Sequence, residues 1–428
     1  GSGITSGKPV ILETAGTVSP ISETSDATGT PVVYQANGTT WNQATFDSSN
    51  NKVVVSYNVG GTGALAVVGT VSGTAISYGT PVAISGAGNS YGSITYDSSN
   101  NKVVIAYRDY SDGDYGTAVV GTVSGTSISF GTPVVFKSAN SDWISATFDS
   151  DSNKVVIAYR ISGQGTAIVA TVSGTSISYG TEVAFESNGS QQISATFDSD
   201  SNKVVIAYRD GLSDEGEAVV GTVSGTAISF GTPVVFNAAT TAQLSTTFDS
   251  NSNKVVISYE DKGNSDYGTA IVGTVSGTSI SFGSEAVFES AETENTTASF
   301  DSAANKVVIA YQDDANYDYG TLVVGTVSGT AISFGSPIIF RNDQVVYTGS
   351  VYDSNENKVV IVYSDGGNSD YGTGVVFSVG GSNMTTSNFL GIADEAISAS
   401  ASGVIVVQGG TSAKLTSLTI GSNYYVQT

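Results

Sequence analysis

The sequence predicts an all-β protein: a seven-bladed β-propeller of four-stranded blades, its last blade closed by an N-terminal strand, with a small accessory β-domain. Three observations predict this. One phrase recurs seven times, each copy holds four short β-rich runs, and one run missing from the last copy reappears near the start of the chain.

The Asn-Lys pair closing D-S-x-x-N-K measures the repeat. Its lysines are Lys52, Lys102, Lys154, Lys203, Lys254, Lys306 and Lys358, spaced 49 to 52 residues apart. Within each unit strand A reads like WISATFD, B like KVVIAYR, C like GTAVVGTV and D like ISFGTPVVF, separated by Gly, Ser, Asn or Asp. The last repeat supplies A, B and C but continues into GGSNMTTSNF without a D run, while TPVVYQ at 30–35 precedes the first A run. A solenoid needs capping repeats and gains nothing from this displacement; a ring gains closure. The expected domains are therefore a propeller over 30–380 and an accessory β-domain made from 1–29 and 381–428. The chain starts GSGITSGKPV without an initiator Met and is expected to be processed or a fragment.

Composition narrows the function. Of 428 residues 39% are hydrophobic and 12% charged, with only 7 Pro, and no apolar run approaches a membrane helix. Fifteen basic against 38 acidic residues give a net charge of −23, which repels nucleic acid and anionic membranes. With no His and no Cys, the usual zinc ligands, thiol nucleophile and imidazole base are missing.

The loops divide by face. A-to-B turns (FDSSNNK, FDSDSNK, YDSNENK) and C-to-D turns (VSGT in six repeats) are monotonous, as a shared hairpin requires. B-to-C loops differ in every copy: NVGGTG, RDYSDGDYG, RISGQG, RDGLSDEGE, EDKGNSDYG, QDDANYDYG and SDGGNSDYG. Variable loops on a rigid scaffold are where recognition resides. Six residues before each repeat's Asp the copies carry Trp41, Tyr91, Trp143, Gln192, Gln243, Asn295 and Tyr347. Around a ring these make an aromatic arc (Tyr347, Trp41, Tyr91, Trp143) and an amide arc (Gln192, Gln243, Asn295) at the channel mouth. Such a rim suits a glycan, since rings stack on sugar faces and amides bond hydroxyls; the plainer alternative is a plugged channel.

No cofactor is expected. Calcium is the candidate metal, with Asp109, Asp112 and Asp114, then Asp313, Asp314 and Asp318, and Asp210 with Asp214 and Glu215, as oxygen-rich groups; none has the spacing of an EF-hand loop. Asn37, Asn188, Asn295 and Asn383 open glycosylation sequons. A carboxylate-pair glycosidase needs no His, but these acids lie in Gly-rich loops that read as exposed, which argues against a raised pKa. The sialidase Asp-box, WD and kelch signatures are also unmet. The expectation is no enzymatic activity.

NKVVIAYRD followed by GTAVVGTVSGTSISFGTPVVF resembles the repeats of structural and tail-fibre proteins of marine and freshwater bacteriophages. KPVILETAGTVSPI at 8–21 is similar to their openings, although Glu13, Thr14 and Ala15 replace an Asn-x-Asp. NFLGIADEAISASASGVIVVQGG and LTIGSNYYVQT resemble their closing segment. The resemblance implies an extracellular or virion-surface structural and adhesive protein, a subunit of a tail fibre or filament, with a lectin-like propeller module as the alternative. Homo-oligomerisation through the terminal β segments is expected, because a short β-module exposes an edge for strand addition.

Overall fold

The computed structural model describes residues 9–12, 18–20, 23–84, 89–187, 189–382, 389–393, 396 and 405–406. The chain divides into two compact units, Gly1–Ala27 with Gly380–Thr428, and Thr28–Val379. In the first, four short strands lie in the order Val18–Pro20, Pro9–Leu12, Phe389–Ala393, Ile405–Val406, all neighbours antiparallel. Glu23–Thr24 also pairs with Gly381–Ser382.

Thr28–Val379 is built of strands, and among the described residues its only helical pieces are four single 3-10 turns. Each repeat is an antiparallel meander of A, B, C and D. In the fourth these are Ser190–Asp198, Lys203–Asp210, Gly216–Ser224 and a D strand in two pieces. The sequence reads D as one run; the structure breaks it at Gly231-Thr-Pro. Ala227–Phe230 and Val234–Asn237 pair separately with the same edge of C, and the same break occurs where Glu182 stands in place of the Pro.

The repeated phrase forms the A-to-B turn. Seven aspartates (Asp47, Asp97, Asp149, Asp198, Asp249, Asp301, Asp353), each at most 3% exposed, end the A strands. Each accepts the N–H groups two and three residues on, through one carboxylate oxygen at 2.9–3.1 Å. The Asn before each lysine has φ between 52° and 56°, a left-handed conformation that Asn tolerates better than most residues. The D-S-x-x-N-K phrase is thus a self-contained Asx turn.

Strand B is apolar without alternation because both of its faces are covered. Val103, Ile105 and Tyr107 pack with Val54, Ala66 and Val68 of the preceding repeat, whereas Val104 and Ala106 pack with Ile157 and Tyr159 of the following one. The core therefore lies between successive sheets, and each fully buried Val or Ile contributes about 1.5–3 kcal/mol. An aromatic clasp repeats along the seams: the D-strand ring of one repeat tilts onto the B-strand tyrosine of the next. Phe136–Tyr159, Phe185–Tyr208, Phe236–Tyr259, Phe288–Tyr311 and Phe340–Tyr363 have centroids 5.0–5.4 Å apart. Under each D-strand ring sits a glycine of strand C; a Cβ on Gly216 would lie 2.5 Å from the Phe236 ring.

The last C strand, Tyr371–Ser378, has its outer partner at the other end of the sequence: Val32↔Gly374, Val33↔Thr373 and Gln35↔Gly372. Tyr34 takes the place of the D-strand phenylalanine and clasps Tyr57 of the first repeat at 5.0 Å. Each A strand touches the next, and Ile338–Asp353 touches Val32–Asp47, so the inner strands follow one another in cyclic order. This is β-propeller architecture.

Candidate functional site

The seven residues picked out six positions before each Asp sit at register breaks. In every A–B pair the antiparallel register shifts beside this position, as between Asp142 and Ser145 or between Ala242 and Ser245. At the break Trp41, Trp143, Gln192, Gln243, Asn295 and Tyr347 all have φ between 50° and 55°. These are β-bulges with a non-glycine residue in the left-handed region, costing on the order of 1–2 kcal/mol each. A bulge re-aims its side chain, and all six line one cavity of about 180 Å³ with Asn42, Ile144, Ile193, Leu244, Thr296 and Thr348. The Tyr91 side chain lies outside the described residues.

The two arcs do different work. Tyr347 and Trp41 rings lie 5.4 Å apart at 48°, a tilted aromatic pair. The amide arc fastens one inner strand to the next. The Gln243 N–H donates to the Gln192 side-chain oxygen, the Tyr347 N–H donates to Asn295 Oδ1 at 3.0 Å, and the Thr296 and Thr348 hydroxyls donate to the Gln243 and Asn295 carbonyls. Asn295 Nδ2 also donates to Gln312 Oε1 at 2.9 Å. With both ends of its amide engaged, Asn295 links one inner strand to the next. Asn37 is exposed; Asn188 and Asn383 lie outside the described residues.

A second ring was overlooked in the sequence. The residue after each B-strand tyrosine (Asn58, Arg108, Arg160, Arg209, Glu260, Gln312, Ser364) flanks the bulge, directly across the ladder from the residue before it. The tyrosine that ends each buried KVVIAY-type run was the signal that would have located this position. Arg108 pairs with Asp114 at 3.1 Å and with Asp142; Arg209 pairs with Asp214 at 3.2 Å and donates to Gln191 at 2.7 Å. Glu260 is 2% exposed. Burial pushes its carboxyl up to about 7 despite Lys262 Nζ at 2.6 Å, and Asp266 and Glu294 push it further up. Asp314 is likewise raised to about 6, by burial first and then by Asp318, Glu294 and Glu292. The inference from loop composition that no acid here would have a raised pKa is therefore corrected.

The proposed calcium groups are not assembled. Asp109 caps its own turn, accepting from the Ser111 N–H at 2.9 Å and the Ser111 hydroxyl at 2.5 Å, while Asp114 is held by Arg108 and Asp112 is exposed. Asp314 and Asp318 both accept from Gln312 Nε2, and Asp313 ends its own strand. Among the described residues the three acids whose oxygens lie within 4.8 Å of one another are Glu186, Asp210 and Glu217, a different set. There Tyr208 donates to Glu217 at 2.7 Å, and Asp210 caps the Leu212–Ser213 turn.

No protein-family model and no curated protein matches the chain. Solved structures do. The β-propeller domain of Cps50 (Swd1) from Myceliophteria thermophila aligns with a TM-score of 0.53 at 6% identity, over 82% of this chain and 100% of that one. The SapL1 lectin in complex with alpha methyl fucoside aligns at 0.45 and 11%, over 71% of this chain and 97% of that one. The NanB sialidase from Streptococcus pneumoniae aligns at 0.48 and 11%, over 81% and 70%. At such identities the likeness is one of fold, a β-propeller. It also corrects the expectation of no enzymatic activity. The NanB match is to a sialidase, an enzyme, and the raised Glu260 carboxyl removes the argument from pKa.

Proposed function

We propose that the chain is a glycan-binding, seven-bladed propeller that works as the adhesive part of an extracellular or virion-surface fibre or filament. The observation that carries this reading is the ring of bulges. Six side chains, among them both tryptophans of the sequence, are held at positive φ and turned into one cavity. Backbone strain repeated on two Trp, a Tyr and three amides in equivalent positions marks a place where the direction of the side chain matters. The amides hold the inner strands in register, and the aromatic arc offers apolar faces for sugar rings. Self-association is assigned to Gly1–Ala27 with Gly380–Thr428, since a short β-module offers edges for strand addition. The fibre role rests on the sequence resemblance alone.

A glycan array comparing the wild type with the Trp41→Ala, Trp143→Ala double variant tests the binding claim. Specific binding by the wild type and its loss in the variant are expected; equal binding by both removes the aromatic arc from the account.

One observation favours a second reading, a carboxylate-pair glycosidase. Glu260 keeps its proton near neutrality, as a general acid must, and Glu294 lies close enough to raise it. Hydrolysis of aryl glycosides that disappears in Glu260→Gln supports this reading, and absence of hydrolysis by the wild type across such a panel ends it.

A further inference from the structure

We propose that Arg160 binds the anionic group, carboxylate or sulfate ester, of an acidic oligosaccharide, next to the aromatic arc. The inference deepens the rim reading and depends on it. In a chain of net charge −23 a guanidinium would find a carboxylate almost anywhere. Arg108, Arg209 and Arg341 do: Asp114 and Asp142, Asp214, and Asp365 respectively. Arg160 occupies the same strand position as Arg108 and Arg209, yet among the described residues it makes no ion pair or side-chain hydrogen bond.

The reason lies in the B-to-C loop. In the second and fourth repeats that loop is long and brings an acid of its own, Asp114 or Asp214, back onto the arginine. In the third repeat strands B and C join through two residues, Ser162 and Gly163, with Ile161 paired to Gln164 and φ of 50° and 90° at the turn. This is the geometry of a tight hairpin. The turn carries no acid. Asp142, opposite Arg160 on the ladder, is drawn instead to Arg108 of the preceding repeat and is neutralised there.

What remains is an open cleft of about 340 Å³ lined by Arg160, Asn140, Asp142, Ser162 and Gly163. Trp143 follows Asp142 on the same strand and turns into the rim cavity. A planar guanidinium makes paired hydrogen bonds to a carboxylate or sulfate. The Asn140 amide and Ser162 hydroxyl supply partners for sugar hydroxyls, and Trp143 a face for the next ring. This combination selects an acidic sugar over a neutral one.

The test is calorimetric titration of the full chain with three oligosaccharides of equal length: a uronate-containing hyaluronan fragment, a sulfated galactan fragment without carboxylate, and neutral cello-oligosaccharide. At least one acidic probe should bind ten-fold or more tighter than the neutral one, with affinity falling as salt rises, and the comparison of the two identifies the anion. Arg160→Gln should erase that preference. Ser162→Asp leaves Arg160 in place but restores the loop acid present in repeats two and four, and should erase it as well. If acidic and neutral probes bind the wild type equally, or if both variants keep the preference, the inference is overturned. Neutral binding that depends on Trp41 and Trp143 would then leave the rim reading intact, whereas absence of binding by all three probes overturns both.

Discussion

Replacing Glu260 by Gln should make the protein more stable above neutral pH and change little below pH 5. The Glu260 carboxyl rises from its ordinary 4.5 to about 7 in the folded protein, chiefly through burial. A carboxyl whose folded pKa exceeds its unfolded pKa binds more protons in the folded state. Its presence therefore costs stability progressively between about pH 4.5 and 7, and that cost is constant above. A shift of this size corresponds to about 3 kcal/mol at pH 8. The Lys262 partner is already included, since its attraction is one of the influences on the final value. Gln keeps the shape and removes the charge. For a unit of roughly 350 residues, Thr28–Val379, 3 kcal/mol corresponds to a midpoint shift of about 4–5 °C. Thermal melts of both proteins from pH 4.5 to 8.5 check this. Many other carboxyls here are also raised by burial, so both curves fall with pH, and the informative quantity is their difference. A difference that grows toward high pH is expected. A constant difference, or a wild type more stable than the variant at pH 8, refutes the assignment of a buried, proton-holding Glu260.

Asp198→Ala strips the acceptor from two turn N–H groups and should destabilise the protein by about 1–3 kcal/mol, read as a fall in the denaturation midpoint; Leu212→Ala, on an exposed loop tip (75% exposed), should leave the midpoint unchanged. Removing everything before residue 39 takes away both the outer partner of Tyr371–Ser378 and the Tyr34–Tyr57 clasp, so the truncated chain should show increased exchange of amides in that strand. Unaltered protection would mean that closure contributes nothing. Deleting 1–20 or 384–428 should abolish self-association in analytical ultracentrifugation while the propeller stays folded; unchanged assembly removes the terminal segments as the assembly device.

What was legible in the sequence was whatever the repeat makes local. The Asp-to-Lys turn could be read because Asp, Ser and Asn act on their own backbone within a few residues. The closing strand could be read because one copy lacked a run that another place supplied. Other features depend on neighbours that no single repeat contains. Trp and Gln carry no mark of positive φ, as Gly or Asn would, so the rim was found by position while its bulges were not. The residue after each B-strand tyrosine was passed over as the tail of an apolar phrase. Its role changes from Arg108 to Arg160 to Glu260 according to what the adjacent loop and the neighbouring repeat bring to it. Glu260 looked like a loop acid and is buried; of the acids grouped as calcium candidates, Asp109 caps its own turn and Asp114 pairs with Arg108.

The central claim, that the bulged rim is a glycan site, has a built-in reporter. The sequence holds two tryptophans, Trp41 and Trp143, and both line the same cavity. Any sugar stacked in that cavity must change their emission. Titration with an oligosaccharide taken from the array should give a saturable shift in tryptophan fluorescence whose midpoint equals the calorimetric Kd. Calorimetric binding that leaves the tryptophan emission unaltered would place the glycan elsewhere and contradict the account.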